Sequence, residues 1–287
     1  MLPIDQHDAG RTAEELEHIL EERFGASIPV DPNLQGLDQL ARITLHRSHR
    51  RFLERPVEPG LLRLLCACAL SAPSKSDLQQ ADILIVRDRE MQRAIAALIP
   101  DMPWIADAPA FLVFLANGRR LPHIAEARDK PFPNDHLDLF FNAAVDGAIV
   151  LATFLRAAAA VGLGYCPISA IRDHASAVSE MLALPPRVIP IAGLCVGWPA
   201  EAGSITPRLG LEVTLHQDRY AAEDVMRHIE AYDRRREAQR PYARQRSPER
   251  WGRATVYGWS EDKARQYAEP LRGDFGAFVR AKGFRLD

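Results

Sequence analysis

A long apolar stretch near the middle of the chain constrains its fold more than any other sequence feature. Residues 143–161 are apolar except for Asp146, Thr153 and Arg156. Two ionisable side chains and many alanines make a lipid-facing helix costly, so the pattern disfavours a membrane span. A helix that is apolar on nearly every side must bury all of its faces. The stretch therefore predicts a helix over residues 137–161, enclosed within the protein or between two subunits.

Shorter patterns on both sides of this helix predict interleaved helices and strands. Helices are expected at 12–24, 34–46, 58–70, 88–99, 173–183, 221–239, 260–268 and 273–282, and strands at 82–87, 110–116, 165–168, 187–196 and, less regularly, 211–215. Thr12 and Glu15 have the spacing of a capping box. Residues 119–135 contain three prolines and are expected to form a loop or lid. Since a regular strand–helix–strand repeat is missing, an α+β sheet wrapped by helices is favoured.

Composition and charge narrow the class of protein further. The chain has 287 residues, of which 47% are hydrophobic, enough for a sizeable core. The formal net charge of −2 does not indicate binding to nucleic acid or to an anionic membrane. The N-terminal residues are acidic and lack a secretory apolar segment, so a cytoplasmic location is expected. Four cysteines lie among apolar neighbours without metal-ligand spacing, so buried reduced thiols and no metal site are expected: Cys66, Cys68, Cys166 and Cys195.

Four short segments are candidates for ligand binding, and each also has a purely structural explanation. Residues 46–52 place three arginines and a serine at a helix end, which suits a phosphate or forms a solvated basic turn. The serine-rich loop at 71–79 offers hydrogen bonds to a ligand or only to its own backbone. Small residues at 162–172 let the backbone approach a flat ligand, or stop a helix before a core strand. Residues 194–199 end a strand in Gly-Trp-Pro, and residues 206–209 then carry Arg208 on a rigid turn that faces a phosphate or solvent.

Together and in this order, the four segments resemble the nitroreductase family. The resemblance is greatest to the branch that holds the major oxygen-insensitive NADPH nitroreductase and the NADPH-flavin oxidoreductase. It covers residues 41–287, with an arginine-rich excursion at 221–258 and C-terminal helices at 259–287, whereas residues 1–40 look like an added helical extension. The resemblance implies a nitroreductase-like α+β fold with a central, mostly antiparallel sheet wrapped by helices, in an interlocked homodimer.

The resemblance also implies a function. Members of this branch are FMN-dependent oxidoreductases that pass hydride from NADPH or NADH to a small nitroaromatic, quinone or flavin acceptor by a ping-pong mechanism. FMN supplies the redox chemistry, so no catalytic side chain is expected. Two alternatives stay open. One is an enzyme of the same fold with another reaction, such as denitration, dehalogenation or ring oxidation, and the other is a flavin-binding protein without turnover.

Cofactor contacts follow from the resemblance, segment by segment. The first and fourth segments supply the groups expected to hold the phosphate and ribityl chain of FMN: His46, Arg47, Ser48, Arg50 and Arg208. The second segment supplies two residues expected to contact the FMN of the partner subunit: Ser74 and Ser76. The third segment supplies backbone groups expected to line the flavin ring: Pro167, Ile168, Ser169 and Ala170.

Three positions depart from the pattern of this branch. Thr206 stands where a lysine is usual, which removes a positive charge near the expected phosphate. Ser169 and Ala170 stand where the branch has two glycines, which crowds the expected flavin edge. Met102 aligns with a glutamine that touches the flavin, so a thioether replaces an amide among the expected FMN contacts and bears on substrate choice.

Residues 234–253 hold eight arginines against two glutamates, which leaves six net positive charges. In the resembling branch, a basic loop in this part of the chain binds the 2′-phosphate of NADPH. We expect Arg240, Arg244 and Arg246 to do so here. A solvated helix face is the main alternative. Contact with RNA is disfavoured because aromatic residues that stack on bases are sparse in this segment.

Overall fold

A computed structural model describes residues 12–221 and 223–287 of the chain. Residues 1–11 of the expected N-terminal extension and residue 222 of the expected excursion lie outside the described residues. Contacts between residues divide the chain into two compact units. The first unit comprises Met1–Arg47 and Ser204–Leu271, and the second comprises Ser48–Gly203 and Arg272–Asp287.

Helices account for most of the regular structure. In chain order they are α1 (Ala13–Phe24), α2 (Leu37–Thr44), α3 (Pro59–Leu70), α4 (Arg89–Ala97), α5 (Trp104–Asp107), α6 (Arg120–Ala127), α7 (Leu137–Ala160), α8 (Ala175–Met181), α9 (Leu211–Thr214), α10 (Val225–Gln239), α11 (Pro248–Trp251), α12 (Trp259–Tyr267) and α13 (Phe275–Ala281). Short 3₁₀ helices occupy Lys75–Asp77 and Ser169–His174.

The second unit is built on a four-stranded antiparallel sheet. Its strands are β1 (Ala81–Val86), β2 (Ala110–Asn117), β3 (Gly164–Ile168) and β4 (Val188–Gly197), in the spatial order β1-β2-β4-β3. The central strands β2 and β4 are buried along nearly their whole length, as expected of apolar strands covered on both faces. The prediction of an α+β fold with a mostly antiparallel sheet is therefore confirmed.

The long helix α7 lies against this sheet along one buried face. Phe154 packs edge-to-face on Phe114 of β2, with ring centres 5.6 Å apart. Gly147 permits close approach, because a Cβ atom there would lie 3.1 Å from Cγ1 of Ile191 and 3.3 Å from the carbonyl oxygen of Leu115. Among the described residues, α7 alone is long and apolar enough to cross a membrane, a test that core helices of other proteins also pass.

The first unit joins the N-terminal helices to the segment that follows residue 203. The capping box of α1 is confirmed, since the Thr12 hydroxyl accepts from the amide of Glu15 (3.1 Å) and the Glu15 carboxylate accepts from the amide of Thr12 (3.0 Å). Leu16 and Ile19 of α1 then form a buried cluster with Ala41 of α2, against which Ile205 also packs. The described part of the N-terminal extension therefore contributes to this unit's core.

Three local expectations from the sequence are wrong. Residues 120–127 form α6 rather than a loop, because Pro122 lies in the first turn, where backbone N–H groups have no helical partner. Residues 211–214 form the short helix α9, since no strand of the described part of the first unit is available to pair with them. Cys66 is only half-buried and Cys68 is exposed, because α3 buries the face that carries Leu62, Leu65 and Ala69.

Candidate functional site

Three arginines lie close together in the first unit, and one of them was not expected from the sequence. Arg23, in the last turn of α1, is only 5% exposed. Burial lowers the pKa of its guanidinium, the positive charge of Arg208 lowers it further, the Glu22 carboxylate opposes the shift, and the charge of Arg47 adds to it. Within the described residues, neither Arg47 nor Arg208 forms an ion pair with a carboxylate. Uncompensated guanidinium groups this close together favour a bound anion.

Thr206 stands where a lysine was expected, and the side chain of an arginine lies beside it. Its hydroxyl accepts a hydrogen bond of 3.2 Å from Nη1 of Arg240. Arg240 follows α10 and is exposed. A guanidinium of the basic segment therefore lies beside Thr206.

A cavity of about 590 Å³ opens beside Arg208 in the first unit. Arg236 of α10 lines it and is 9% exposed, with its guanidinium carbon 4.8 Å from the ring centre of Tyr242. Trp259 and Lys263 contribute a further ring and a further positive charge. Cations beside aromatic faces suit an anionic group attached to a flat ring.

The arginines expected to bind NADPH have unequal surroundings. Arg246 Nε lies 3.5 Å from Oδ1 of the buried Asp262, so its charge is partly compensated within the protein. Arg240 bonds to Thr206 as described above. Arg244 is exposed and has no ion-pair partner in the part of the chain that the structure describes. Of the three, Arg244 is therefore the most available to an external phosphate.

In the second unit, three of the four segments meet at the end of the sheet. The amide of His49 donates to the carbonyl of Tyr165 in β3 (2.9 Å), and Phe52 forms an isolated antiparallel bridge with Pro199. A Cβ atom at Gly164 would lie 2.8 Å from Cγ of His49, so only glycine permits this approach of strand to segment. The fold thus brings residues 48–52 to the end of the sheet at which β3 begins and β4 ends.

Ser48 and Arg50 lie near one buried thiol at this junction. Burial raises the pKa of the Cys166 thiol, while the charge of Arg50 and the neighbouring side chains of Trp104 and Ser48 act in the opposite direction. The Arg50 guanidinium carbon lies 5.5 Å from the centre of the Trp104 ring. Arg50 is exposed and forms no ion pair within the described residues, so it remains available to a ligand.

The remaining candidates of the third segment have contrasting exposure. Pro167 is half-buried and Ile168 buried at the end of β3, Ser169 is exposed, and Ala170 is buried. Met102 is half-buried and packs against the core cluster that contains Ile168 and Ala170. Backbone groups and one thioether, rather than charged side chains, therefore form this surface.

The two serines of the second segment differ in their availability. The Ser74 hydroxyl donates to Asp146 of α7 (2.7 Å) and accepts from the amide of Gln79 (2.7 Å), so it is already engaged within the chain. Ser76 is exposed and has a left-handed backbone conformation, with φ of 49°. Ser76 is therefore the better candidate for direct contact with a ligand.

Comparison with protein families identifies the class of protein to which these features belong. A model described as "Nitroreductase family" matches residues 43–198, and one described as "Nitroreductase family, C-terminal domain" matches residues 206–287. The chain belongs to the nitroreductase family, which confirms the resemblance carried by the four segments. The family models begin at residue 43, so α1 lies entirely outside them.

Individual relatives agree with this family. The chain is 33% identical to the FMN reductase [NAD(P)H] of Bacillus subtilis over 85% of this chain and 97% of the relative. It is 35% identical to the oxygen-insensitive NADPH nitroreductase of Salmonella typhimurium over 62% of this chain and 73% of the relative. The solved structure of the NADPH:FMN oxidoreductase from Vibrio harveyi, complexed with NAD+, aligns with a TM-score of 0.74 at 27% identity, covering 86% of this chain and 98% of that one.

Proposed function

We propose that the chain is an FMN-dependent oxidoreductase that transfers hydride from NAD(P)H to a small oxidised acceptor. The relatives named above are FMN reductases and a nitroreductase that use NADPH or NAD(P)H. The observation that carries the proposal is that Arg23 bonds to the carbonyl of His46, next to Arg47, and that its own carbonyl accepts the amide of Arg208, so three guanidinium groups of like charge lie in one region. A phosphate dianion would relieve that repulsion, and FMN ends in such a group.

The resemblance assigns the phosphate and ribityl chain of FMN to five residues, and we propose the same roles here: His46, Arg47, Ser48, Arg50 and Arg208. Arg47 and Arg208 supply guanidinium forks for the phosphate. The exposed hydroxyl of Ser76 and the engaged hydroxyl of Ser74 are assigned to the FMN of the partner subunit.

Residues 167–170 and Met102 supply a surface of mixed backbone and apolar groups for the flavin ring. Bound FMN supplies the ring that takes up and delivers hydride. The chain's own part is to bind that ring, to orient it and to hold the nicotinamide donor. In this proposal Arg240, Arg244 and Arg246 bind the 2′-phosphate of NADPH, and Arg244 carries the largest share because it is the least compensated.

A second copy of this chain is the proposed partner, with assembly in the cytoplasm. Three apolar residues of α7 follow at intervals of four, which places them on one side of the helix. Leu137 is 49%, Phe141 is 60% and Val145 is 38% exposed within the single chain. A contiguous apolar stripe of this kind is typical of a protein interface. We therefore assign α7 to the dimer interface, and sedimentation of the Phe141→Arg variant as a monomer would support this assignment.

The experiment that tests the function uses the purified full-length chain. FMN is titrated in and its fluorescence quenching followed, and then the absorbance of the complex is recorded anaerobically before and after addition of NADPH. We expect tight binding, rapid bleaching of the flavin bands, and their return when a nitroaromatic or quinone is added. A protein that leaves FMN free in solution, or whose flavin bands persist with both NADPH and NADH, contradicts the proposal.

A further inference from the structure

Helix α1, which lies outside the family models, carries in its last turn a buried arginine that bonds to two distant parts of the first unit. The guanidinium of Arg23 donates from Nε to the carbonyl of Thr44 over 2.9 Å and from Nη2 to the carbonyl of His46 over 2.6 Å. The third guanidinium nitrogen, Nη1, donates to the carbonyl of Thr206 over 3.0 Å. One side chain of α1 therefore joins the end of α2 to the turn that carries Arg208.

Backbone bonds reinforce this connection. The amide of Arg208 donates to the carbonyl of Arg23 over 2.7 Å. A second guanidinium, that of Arg235 in α10, donates to the carbonyls of Phe24 and Arg208. Gly25 has φ of 76°, and a Cβ atom there would overlap the Arg235 side chain. The end of α1 is therefore held against the Arg208 turn from two sides.

The carbonyls that Arg23 binds lie next to the arginines assigned to the flavin phosphate. His46 immediately precedes Arg47, and Thr206 lies two residues before Arg208. A guanidinium has five N–H donors in one rigid plane, so it can hold several carbonyls in a fixed geometry. The flexible ammonium of a lysine cannot reproduce that geometry. Burying this cation beside two others is costly unless an anion offsets them. An anion bound at the phosphate site would therefore stabilise Arg23 in its buried position.

We propose that Arg23 is a positioning residue that holds Arg47 and Arg208 in the arrangement required by the flavin phosphate. The inference rests on the proposed function. The N–H donors of Arg23 bond to backbone carbonyls, so the phosphate is bound by Arg47 and Arg208. Its loss therefore weakens the binding of a flavin that has a phosphate and leaves a flavin without one nearly unaffected.

Riboflavin provides the test, because it shares the ring and ribityl chain of FMN but lacks the phosphate. The Kd of each flavin is measured by fluorescence quenching for the full-length chain and for Arg23→Gln. The variant is expected to raise the Kd for FMN about tenfold and the Kd for riboflavin by about twofold at most. Arg23→Lys keeps the charge but not the fork, and is expected to lie between. Arg234→Met, which removes an exposed arginine of α10, is the matched control and leaves both values unchanged.

Two outcomes with Arg23→Gln would overturn the inference. Equal losses of FMN and riboflavin binding would mean general damage, and unchanged FMN affinity would mean that Arg23 does not position the phosphate site. If Arg23→Gln does not fold, Arg23→Lys decides, since full FMN affinity in that variant shows that the fork is dispensable. Arg208→Ala separates the inference from the function on which it rests. If that variant binds FMN as tightly as the unaltered chain, the phosphate site itself is wrongly assigned.

Discussion

The hydroxyl of Ser74 donates a hydrogen bond of 2.7 Å to the carboxylate of Asp146, which is buried in α7. The same carboxylate accepts the amides of Gln80 at 3.0 Å and Lys75 at 3.3 Å. Between these residues, Ser76, Asp77 and Gln79 all have positive φ, a conformation that costs non-glycine residues free energy. One buried carboxylate of the most apolar helix thus holds a strained loop of the candidate site.

Replacing Asp146 by Asn is expected to release this loop. An amide presents one oxygen rather than two, so at least one buried donor loses its partner, at a cost of about 1–3 kcal/mol in the free energy of unfolding. Urea denaturation measures the change, and proteolysis near residue 76 reports the loop. Asp101→Asn, which replaces an exposed carboxylate in a turn away from this loop, is the control, and little change is expected. Similar destabilisation by both substitutions would refute the special role of Asp146.

Gly147 and Gly60 form a matched pair for the packing of α7. Ala at position 147 must push against Ile191 and the Leu115 backbone, so Gly147→Ala is expected to destabilise the protein by about 1–3 kcal/mol. At Gly60 of α3 nothing lies within 4 Å of an added Cβ, so Gly60→Ala is expected to be neutral or slightly stabilising. Thermal unfolding distinguishes the two, and equal Tm values for both variants would contradict the close approach of helix to sheet.

The basic segment is expected to discriminate NADPH from NADH through Arg244 first. Arg244→Ala is expected to raise the KM for NADPH about three- to tenfold, with the KM for NADH unchanged, because only NADPH carries the 2′-phosphate. Arg246→Ala is expected to add a loss of stability, since it removes a partner of Asp262. Steady-state kinetics with both donors measure this effect. Equal rises in both KM values would remove the assignment to the 2′-phosphate.

Asp262 is expected to make the first unit sensitive to acid. Burial by itself would raise the pKa of this carboxyl, but hydrogen bonds from Lys263 (2.8 Å) and Tyr257 (2.9 Å), with the charges of Lys263 and Arg246, lower its pKa below the ordinary value. A depressed pKa in the folded state contributes stability above the unfolded value, near pH 4, and that contribution is lost as the pH falls through the folded value.

The variant Asp262→Asn tests this linkage. It is expected to be less stable than the unaltered chain at pH 7 by about 1–3 kcal/mol, because the buried donors lose a charged acceptor. The difference is expected to shrink as the pH falls below about 4, where the unfolded chain takes up a proton on this carboxyl, and to be lost once the pH passes the lower pKa of the folded state. Denaturation at several pH values from 7 to 3 provides the measurement. A difference that stays constant, or grows, towards low pH would count against the depressed pKa.

Local periodicity predicted much of the fold. All four strands of the sheet were placed within one residue of their observed bounds, and α7 was placed almost to its ends. The order of the four segments also predicted the family, which the family models confirm. These features could be predicted because the hydrophobic pattern of a strand or a helix, and the residue types of a turn, depend only on positions that are close in the sequence.

The sequence by itself determined the elements, their order, the family and the residue types available for a phosphate. Only the tertiary structure decided which of these residues contact one another. Arg23 bonds to the Thr206 carbonyl, and Asp146 bonds to Ser74 of the loop. The charge of Arg246 is partly compensated by the carboxylate of Asp262. The physical reason is that a hydrogen bond or an ion pair between positions far apart in the chain leaves no periodic trace, since it depends on how the packed elements bring two side chains within about 3 Å.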